Sequence, residues 1–324
     1  MKEVFPNIDK VDLKIIKALE QNSRMPSKAI AKLASVNEHV VAYRIERLVN
    51  SGLINKIYCI ISRGALFPVG YRVFLRFQNL SAEKEKAIVK RAVDCGFVNW
   101  VALCRGHWDM VISLFVNNPK HFMQLFSEMI AGFEDFIQEK EIVSYYEVFN
   151  FNRAYLYGGN PIEMQEYDGE FRQKQIDELD KKILNQLSAN SRLSFIEMAQ
   201  KFNASPDTIR NRIKQLEKQK ILLGHGVLLN LEKIGYSTYL VLLNFKNLSK
   251  TREKALRSFT MQHPNVIWWL SSIGAYDLSL ELEASEKKLD EFIVILREKF
   301  WDIIKNIEIL TLRESLKYTY VATD

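Results

Sequence analysis

The 324-residue chain is longer than one typical domain, and its 48% apolar composition is enough to bury sizeable cores. No run reaches the ~20 apolar residues of a membrane span, and MKEVFPNIDK at the amino terminus has no apolar signal core, so a cytoplasmic protein without a membrane partner is expected. A formal charge of +6 permits an anionic partner without naming one, and Cys59, Cys95 and Cys104 lack the spacing of a disulfide framework or a zinc site.

Taken in order, the chain opens with three short helical patterns. Asp9 to Gln21 carries Leu13, Ile16 and Leu19. Ser27 to Ala34 carries Ile30 and Leu33, and Glu38 to Asn50 carries Val41, Ile45 and Leu48, with Asn37 as cap and Gly52 as stop. An extended stretch, Lys56 to Ser62, follows, which is the order of a winged helix-turn-helix. Beyond Gly64 the period changes. Tyr71 to Gln78, Val98 to Cys104, Asp109 to Val116 and Glu139 to Val148 read as strands, with helices at Ala82 to Val93 and Lys120 to Ile130, giving the ferredoxin-like β-α-β-β-α-β order.

The same series recurs at an offset of 168 residues, with helices from Asp177, Ser194 and Ser205 and a strand near Gly226 to Asn230. Asn22-Ser23-Arg24 falls on Asn190-Ser191-Arg192, and Gly106-His107-Trp108-Asp109 falls on Gly274-Ala275-Tyr276-Asp277. The fold class expected is therefore α+β, a tandem repeat of winged helix-turn-helix and ferredoxin-like domains. The boundaries are 1–63, 64–150, a linker at 151–174, 175–231 and 232–324. The aromatic start of the linker, Phe151 to Tyr157, is expected to pack on a domain.

Within the second copy, Ser205 caps a helix whose first residue is Pro206, and Ile209, Ile213 and Leu216 form one apolar stripe. Turning that stripe inward leaves Asp207, Thr208, Arg210, Asn211 and Lys214 on other faces. Arg and Asn have forked donors and acceptors that match guanine and adenine edges in a DNA major groove, while an amphipathic helix with solvated charges would look similar. From Ser205 to Lys220 five basic side chains stand against two acidic ones, a net +3; from Asn37 to Gly52 two stand against two. In the first copy the groove-facing candidates are Glu38, His39, Ala42 and Tyr43, with Arg44 and Arg47 beside them. Arg44 and its equivalent Arg212 fit either a phosphate or an ion pair inside the domain. Asp109 and Asp277 fit either the amino group of a small ligand or the N–H groups of a turn.

Leu179-Asp180-x-x-Ile183-Leu184, Ser205-Pro206-x-Thr208-Ile209-x-x-Arg212-Ile213-x-x-Leu216-Glu217 and Gly274-x-Tyr276-Asp277, in that order, resemble the Lrp/AsnC (feast-famine) transcriptional regulators. The resemblance covers nearly the whole chain twice, more loosely in the first copy, where Asn37-Glu38-His39-Val40 and Trp108 replace the usual residues. It implies that the first domain of each copy binds double-stranded promoter DNA and that the second, the RAM domain, pairs through its sheet. It also implies that a small effector, often an amino acid, binds near Gly274, Tyr276 and Asp277, and less securely near Gly106, Trp108 and Asp109. RAM pairing within one chain or between chains of a homo-oligomer is expected; a catalytic role, a metal and a tightly bound cofactor are not. Two alternatives stay open. Sirohaem decarboxylases share this architecture, although Trp268-Trp269-Leu270-Ser271-Ser272 stands where such an enzyme needs cationic groups for a polyanionic ligand. The other is a regulator whose first copy has lost DNA binding.

Overall fold

The computed structural model describes residues 8–167 and 174–318. In chain order these form α1 (Lys10–Gln21), α2 (Ser27–Ala34), α3 (Glu38–Asn50), β1 (Ile54–Ile61), β2 (Val69–Phe77), α4 (Ala82–Asp94), β3 (Val98–Arg105), β4 (Met110–Val116), α5 (Pro119–Ile130) and β5 (Ile137–Phe151). Next come α6 (Ala154–Tyr157), β6 (Glu163–Tyr167), α7 (Glu178–Ala189), α8 (Phe195–Phe202), α9 (Pro206–Lys218), β7 (Leu222–Leu229), β8 (Ser237–Phe245), α10 (Lys250–Met261), β9 (Val266–Gly274), β10 (Leu278–Ala284), α11 (Glu286–Phe300) and β11 (Ile304–Tyr318). None of these helices is long and apolar enough to cross a membrane. The chain divides by kind rather than by copy. One compact unit holds both helix-turn-helix domains, Asn152–Asn160 and the residues to Tyr236; the other holds both ferredoxin-like domains.

In the helical unit, capping chemistry sets the helix starts. Asp9 accepts from the backbone of Val11 and Asp12 while Asp12 accepts from that of Asp9, a reciprocal box repeated by Asp177 with Asp180 and by Ser194 with Glu197. Ile15, Ile16, Leu19, Ile30, Val41 and Leu48 form a core that Val227 and Leu229 of the second copy complete. The strand after each third helix finds its partner only in the other copy: β1 runs antiparallel to β7, from Ile54 opposite Leu229 to Ile61 opposite Leu222. This cross-copy ladder starts β7 at Leu222, ahead of the expected start near Gly226, because pairing overrides the weak strand preference of Gly224 and Gly226. The two copies meet about a pseudo-two-fold axis on which the Ser23 and Ser191 hydroxyls, 168 residues apart, lie 2.6 Å from each other. Arg24 donates to the carbonyls of Ser191 and Leu193, and Arg192 returns the exchange to those of Ser23 and Met25. The start of the expected linker is structured here. Leu156 enters the core, Tyr155 stacks on Tyr236, and Arg153 makes a buried ion pair with Glu20 at 2.7 Å.

In the sheet unit, nine strands follow the order β2-β4-β3-β11-β8-β10-β9-β5-β6, and β2 also pairs with β5, so the first eight close into a ring. Each ferredoxin-like domain sends its last strand to the other: β5 pairs with β9 as well as β2, and β11 with β3 as well as β8. That double pairing carries β5 through to Phe151, beyond the Val148 end expected from alternation alone. Helices cover the outside of each half over separate cores, one including Phe122 and Phe126, the other Phe292 and Leu296. The ring interior is a shared core in which Phe74, Trp100 and Trp108 meet Leu240, Leu242 and Tyr276.

Candidate nucleic-acid interface and effector region

In α9, Ser205 Oγ accepts the Thr208 N–H at 3.0 Å, and Ile209, Ile213 and Leu216 are buried. Rigid anchoring on that stripe leaves Ser205, Asp207, Thr208, Arg210, Asn211 and Lys214 exposed together on the outer face. Arg210 donates to Asp207 at 2.6 Å, with its guanidinium over the Phe195 ring at 5.3 Å. Such an exposed pair is worth roughly 0–1 kcal/mol, so a phosphate or a guanine edge can compete for the arginine. Arg212 is placed differently: half-buried, it pairs with Asp177 at 2.6 Å and Asp180 at 3.4 Å and ties α9 to the start of α7. Hydrogen bonding from the Asp180 backbone, with Arg212 beside it, holds the Asp177 carboxyl below its usual range.

The first copy keeps the tie and adds to it. Arg44 bonds Asp9 at 2.6 Å and Asp12 at 2.9 Å, and Arg47 bonds Asp12 at 2.5 Å. Asp12 is fully buried, so both cations of α3 are anchored to a carboxylate that would be left buried and unpaired if they turned away. On the outer face His39 and Tyr43 are exposed. Position for position, Ala42, Tyr43, Glu46, Asn50 and Gly52 stand where the second copy has Arg210, Asn211, Lys214, Lys218 and Lys220. Asn37 caps α3 without a side-chain hydrogen bond, unlike Ser205.

One residue of this unit was not singled out by the sequence pattern. His225 on β7 lies opposite Cys59, is buried, and has no hydrogen-bond partner at either ring nitrogen. Burial, aided by the positive charge of Arg24, pushes its pKa down to about 4. The equivalent position in the first copy is Ile57, and that mismatch was the available signal.

In the sheet unit, Gly106 and Gly274 have φ of +136° and +133°, and a Cβ on them would stand 2.8 Å from Leu310 and 2.6 Å from the Ile142 carbonyl. Both glycines are thus needed where the last strand of the other copy passes. Trp108 and Tyr276, again 168 residues apart, are buried against one another, with the indole N–H donating to the phenol oxygen at 2.7 Å and the phenol donating to Glu308 at 2.8 Å. Burial, reinforced by Glu308, raises the Tyr276 hydroxyl well above its ordinary range. Asp109 and Asp277 each accept a strand N–H, from Phe77 and Phe245, at 2.7 Å. Asp277 also lines a cavity of about 240 Å³ with Tyr146, Glu253, Ser271 and Ser272. The polar Ser271-Ser272 pair within an otherwise apolar strand was its mark in the sequence. His107 bonds Glu139 at 3.0 Å, and Trp100 and Trp269 are buried.

Comparison with known proteins adds four findings. The AsnC-type helix-turn-helix domain model matches residues 8–49 and 176–217. An uncharacterised helix-turn-helix transcriptional regulator of Pyrococcus furiosus is 52% identical over 62 residues, 19% of this chain and 42% of its own length, so the match spans less than half of that relative. The regulatory protein AsnC of Haemophilus influenzae is 33% identical over 107 residues, covering 33% of this chain and 71% of that protein. Among solved structures, the siroheme decarboxylase NirDL superposes with a TM-score of 0.61 over 97% of this chain and 94% of its own, at 13% identity, a likeness of fold.

Proposed function

The chain belongs to the Lrp/AsnC family of helix-turn-helix regulators, and from that premise we propose that it binds double-stranded promoter DNA chiefly through α9 and responds to a small effector at the sheet unit. The observation that carries this reading is the outer face of α9, where Arg210, Asn211 and Lys214 are exposed beside a properly capped helix start. Arg210 and Asn211 read base edges, Ser205 and Thr208 approach the backbone from the helix start, and Lys214 neutralises phosphate. Asp207 holds Arg210 until DNA displaces it. Arg212, Arg44 and Arg47 serve the domains' own ion pairs first and contribute to phosphate contact second. His39 and Tyr43 give the first copy a weaker, mostly uncharged contact.

The effector half of the proposal rests on the cavity beside Asp277, whose volume suits an amino acid and whose serines and carboxylates suit its polar ends. Of the residues that the family resemblance points to, only Asp277 lines this cavity; Gly106, Trp108, Asp109, Gly274 and Tyr276 lie outside it and frame the contact between the two copies. An effector shifts regulation only by binding two arrangements unequally.

The test is fluorescence anisotropy with recovered genomic DNA fragments across a salt series. Arg210→Ala is expected to weaken the preferred site by ~1–3 kcal/mol, and affinity is expected to fall steeply with salt. Unchanged affinity in that variant removes α9 as the reader.

A further inference from the structure

The ring interior contains a buried guanidinium that is only partly paired. Arg72, on β2, is 5% exposed, and its Nη2 donates to Glu281 at 3.2 Å, while Nε and Nη1 are buried with no hydrogen-bond partner among the described residues. Its guanidinium lies over the Trp100 ring at 4.9 Å. Leaving two charged donors unpaired in a core is costly, and buried polar groups are otherwise satisfied almost without exception. Next to them is the small cavity of about 40 Å³, lined also by Trp100, Tyr145, Trp268, Leu270 and Glu281. It sits astride the pseudo-two-fold axis, since Trp100 with Trp268 and Ser113 with Glu281 are equivalent positions of the two copies. Arg72 breaks that symmetry, because its own equivalent is the fully buried Leu240.

We propose that this cavity is a binding site for a small monocarboxylate, no larger than propionate, whose oxygens accept from the unpaired N–H groups of Arg72 while its short aliphatic tail lies against Trp100, Trp268 and Leu270. Nε and Nη1 lie on different edges of the guanidinium, and a carboxylate oxygen accepting from either makes a charge-assisted hydrogen bond, stronger than the one a neutral acceptor would make. The space holds only a few water-sized groups at ~10–15 Å³ each, which excludes phosphate esters and larger anions. Glu281 limits the charge the site accepts, and burial raises its pKa, which lets it yield Arg72 to an incoming anion. The site shares no lining residue with the cavity beside Asp277. It therefore stands whether or not the amino-acid effector proposed there exists.

The experiment titrates the full chain with sodium propionate at constant ionic strength, with propionamide as the neutral match, and follows thermal midpoint and tryptophan fluorescence. The expected result is a saturable response to propionate and none to propionamide. Arg72→Leu combined with Glu281→Ser gives each position its counterpart's residue, Leu240 and Ser113, and removes charge from the cavity without stranding a carboxylate. That double variant is expected to bind at least tenfold more weakly. Arg72→Lys, which keeps the charge but loses the planar set of N–H donors, is expected to weaken binding to a similar degree and serves if the double variant does not fold. The proposal is overturned by propionate affinity that survives in the variants, which places the ligand elsewhere, by an equal response to propionamide, or by no saturable response in the wild type, which leaves Arg72 to water.

Discussion

The two third helices, α3 and α9, share a scaffold and differ in how their charge is used. Both bury one apolar stripe, and both send an arginine, Arg44 or Arg212, to a pair of aspartates at the start of the domain's first helix. The first copy adds Arg47 to the same buried Asp12, while the second has Gln215 there and moves its cations to the outer face as Arg210, Lys214 and Lys218. A count of basic residues overstates what α3 can offer an anion, because both of its arginines already face carboxylates inside the domain. Cations bound to the scaffold are held by their carboxylates; cations on the outer face stay available to an anion.

The largest effect that would sharpen this contrast comes from His225, whose equivalent is Ile57. Its folded-state pKa of about 4 lies below the unfolded value of 6.5, so its contribution to stability is complete above pH 6.5 and is lost as pH falls toward 4. About 3 kcal/mol should disappear over that window, at ~1.4 kcal/mol for each unit of pKa difference. In His225→Ile that portion of the pH dependence should vanish, and urea midpoints should rise at pH 7 as two unpaired nitrogens leave the core. Parallel stability curves for the two proteins would contradict the assignment.

Next, Asp12→Ala should cost about 2–3 kcal/mol, since it releases Arg47, takes one of two carboxylates from Arg44 and removes half of a capping box, against about 1 kcal/mol for Asp180→Ala, where no second arginine is released and Arg212 keeps Asp177. Equal losses in denaturant titrations would show that the copies are tied alike. A smaller gain is expected from transplanting the reading face: Ala42→Arg with Tyr43→Asn should tighten DNA binding by ~1 kcal/mol and steepen its salt dependence. An unaltered salt slope would mean that the first copy does not reach DNA. The smallest effect is at the end of α9, where Lys220 has φ of +53° and its counterpart Gly52 has +68°. Lys220→Gly should stabilise the helical unit by ~0.5 kcal/mol, the relief of a left-handed side chain less the added entropy of the unfolded chain. A lower thermal midpoint would count against that strain.

Much of this was legible in the sequence. Asp9, Asp177, Ser194 and Ser205 announce helix starts by local chemistry, and the 168-residue offset revealed the duplication because equivalent cores need equivalent residues. What could not be read locally was partner choice. Nothing within Leu222–Leu229 says that its ladder lies in the other copy, and nothing within Ile137–Phe151 says that one strand pairs in both copies. Arg72 was missed for the same reason. In VGYRVFLRF it alternates as a solvent-facing residue should, and only closure of the ring turns that face inward. For Arg44 and Arg212 the sequence left phosphate and carboxylate equally available, and the decision came from aspartates 32 to 35 positions away.

The exchanged strands β5 and β11 have a further consequence. In a symmetric pair of separate subunits, every substitution appears twice, and dilution separates the partners. Here the pairing partner is covalently attached, so the pair persists at any concentration, and a change such as Leu240 against Arg72, or Tyr43 against Asn211, is made once. A closed ring built from two unlike copies therefore lets one copy diverge while the other preserves the shared frame.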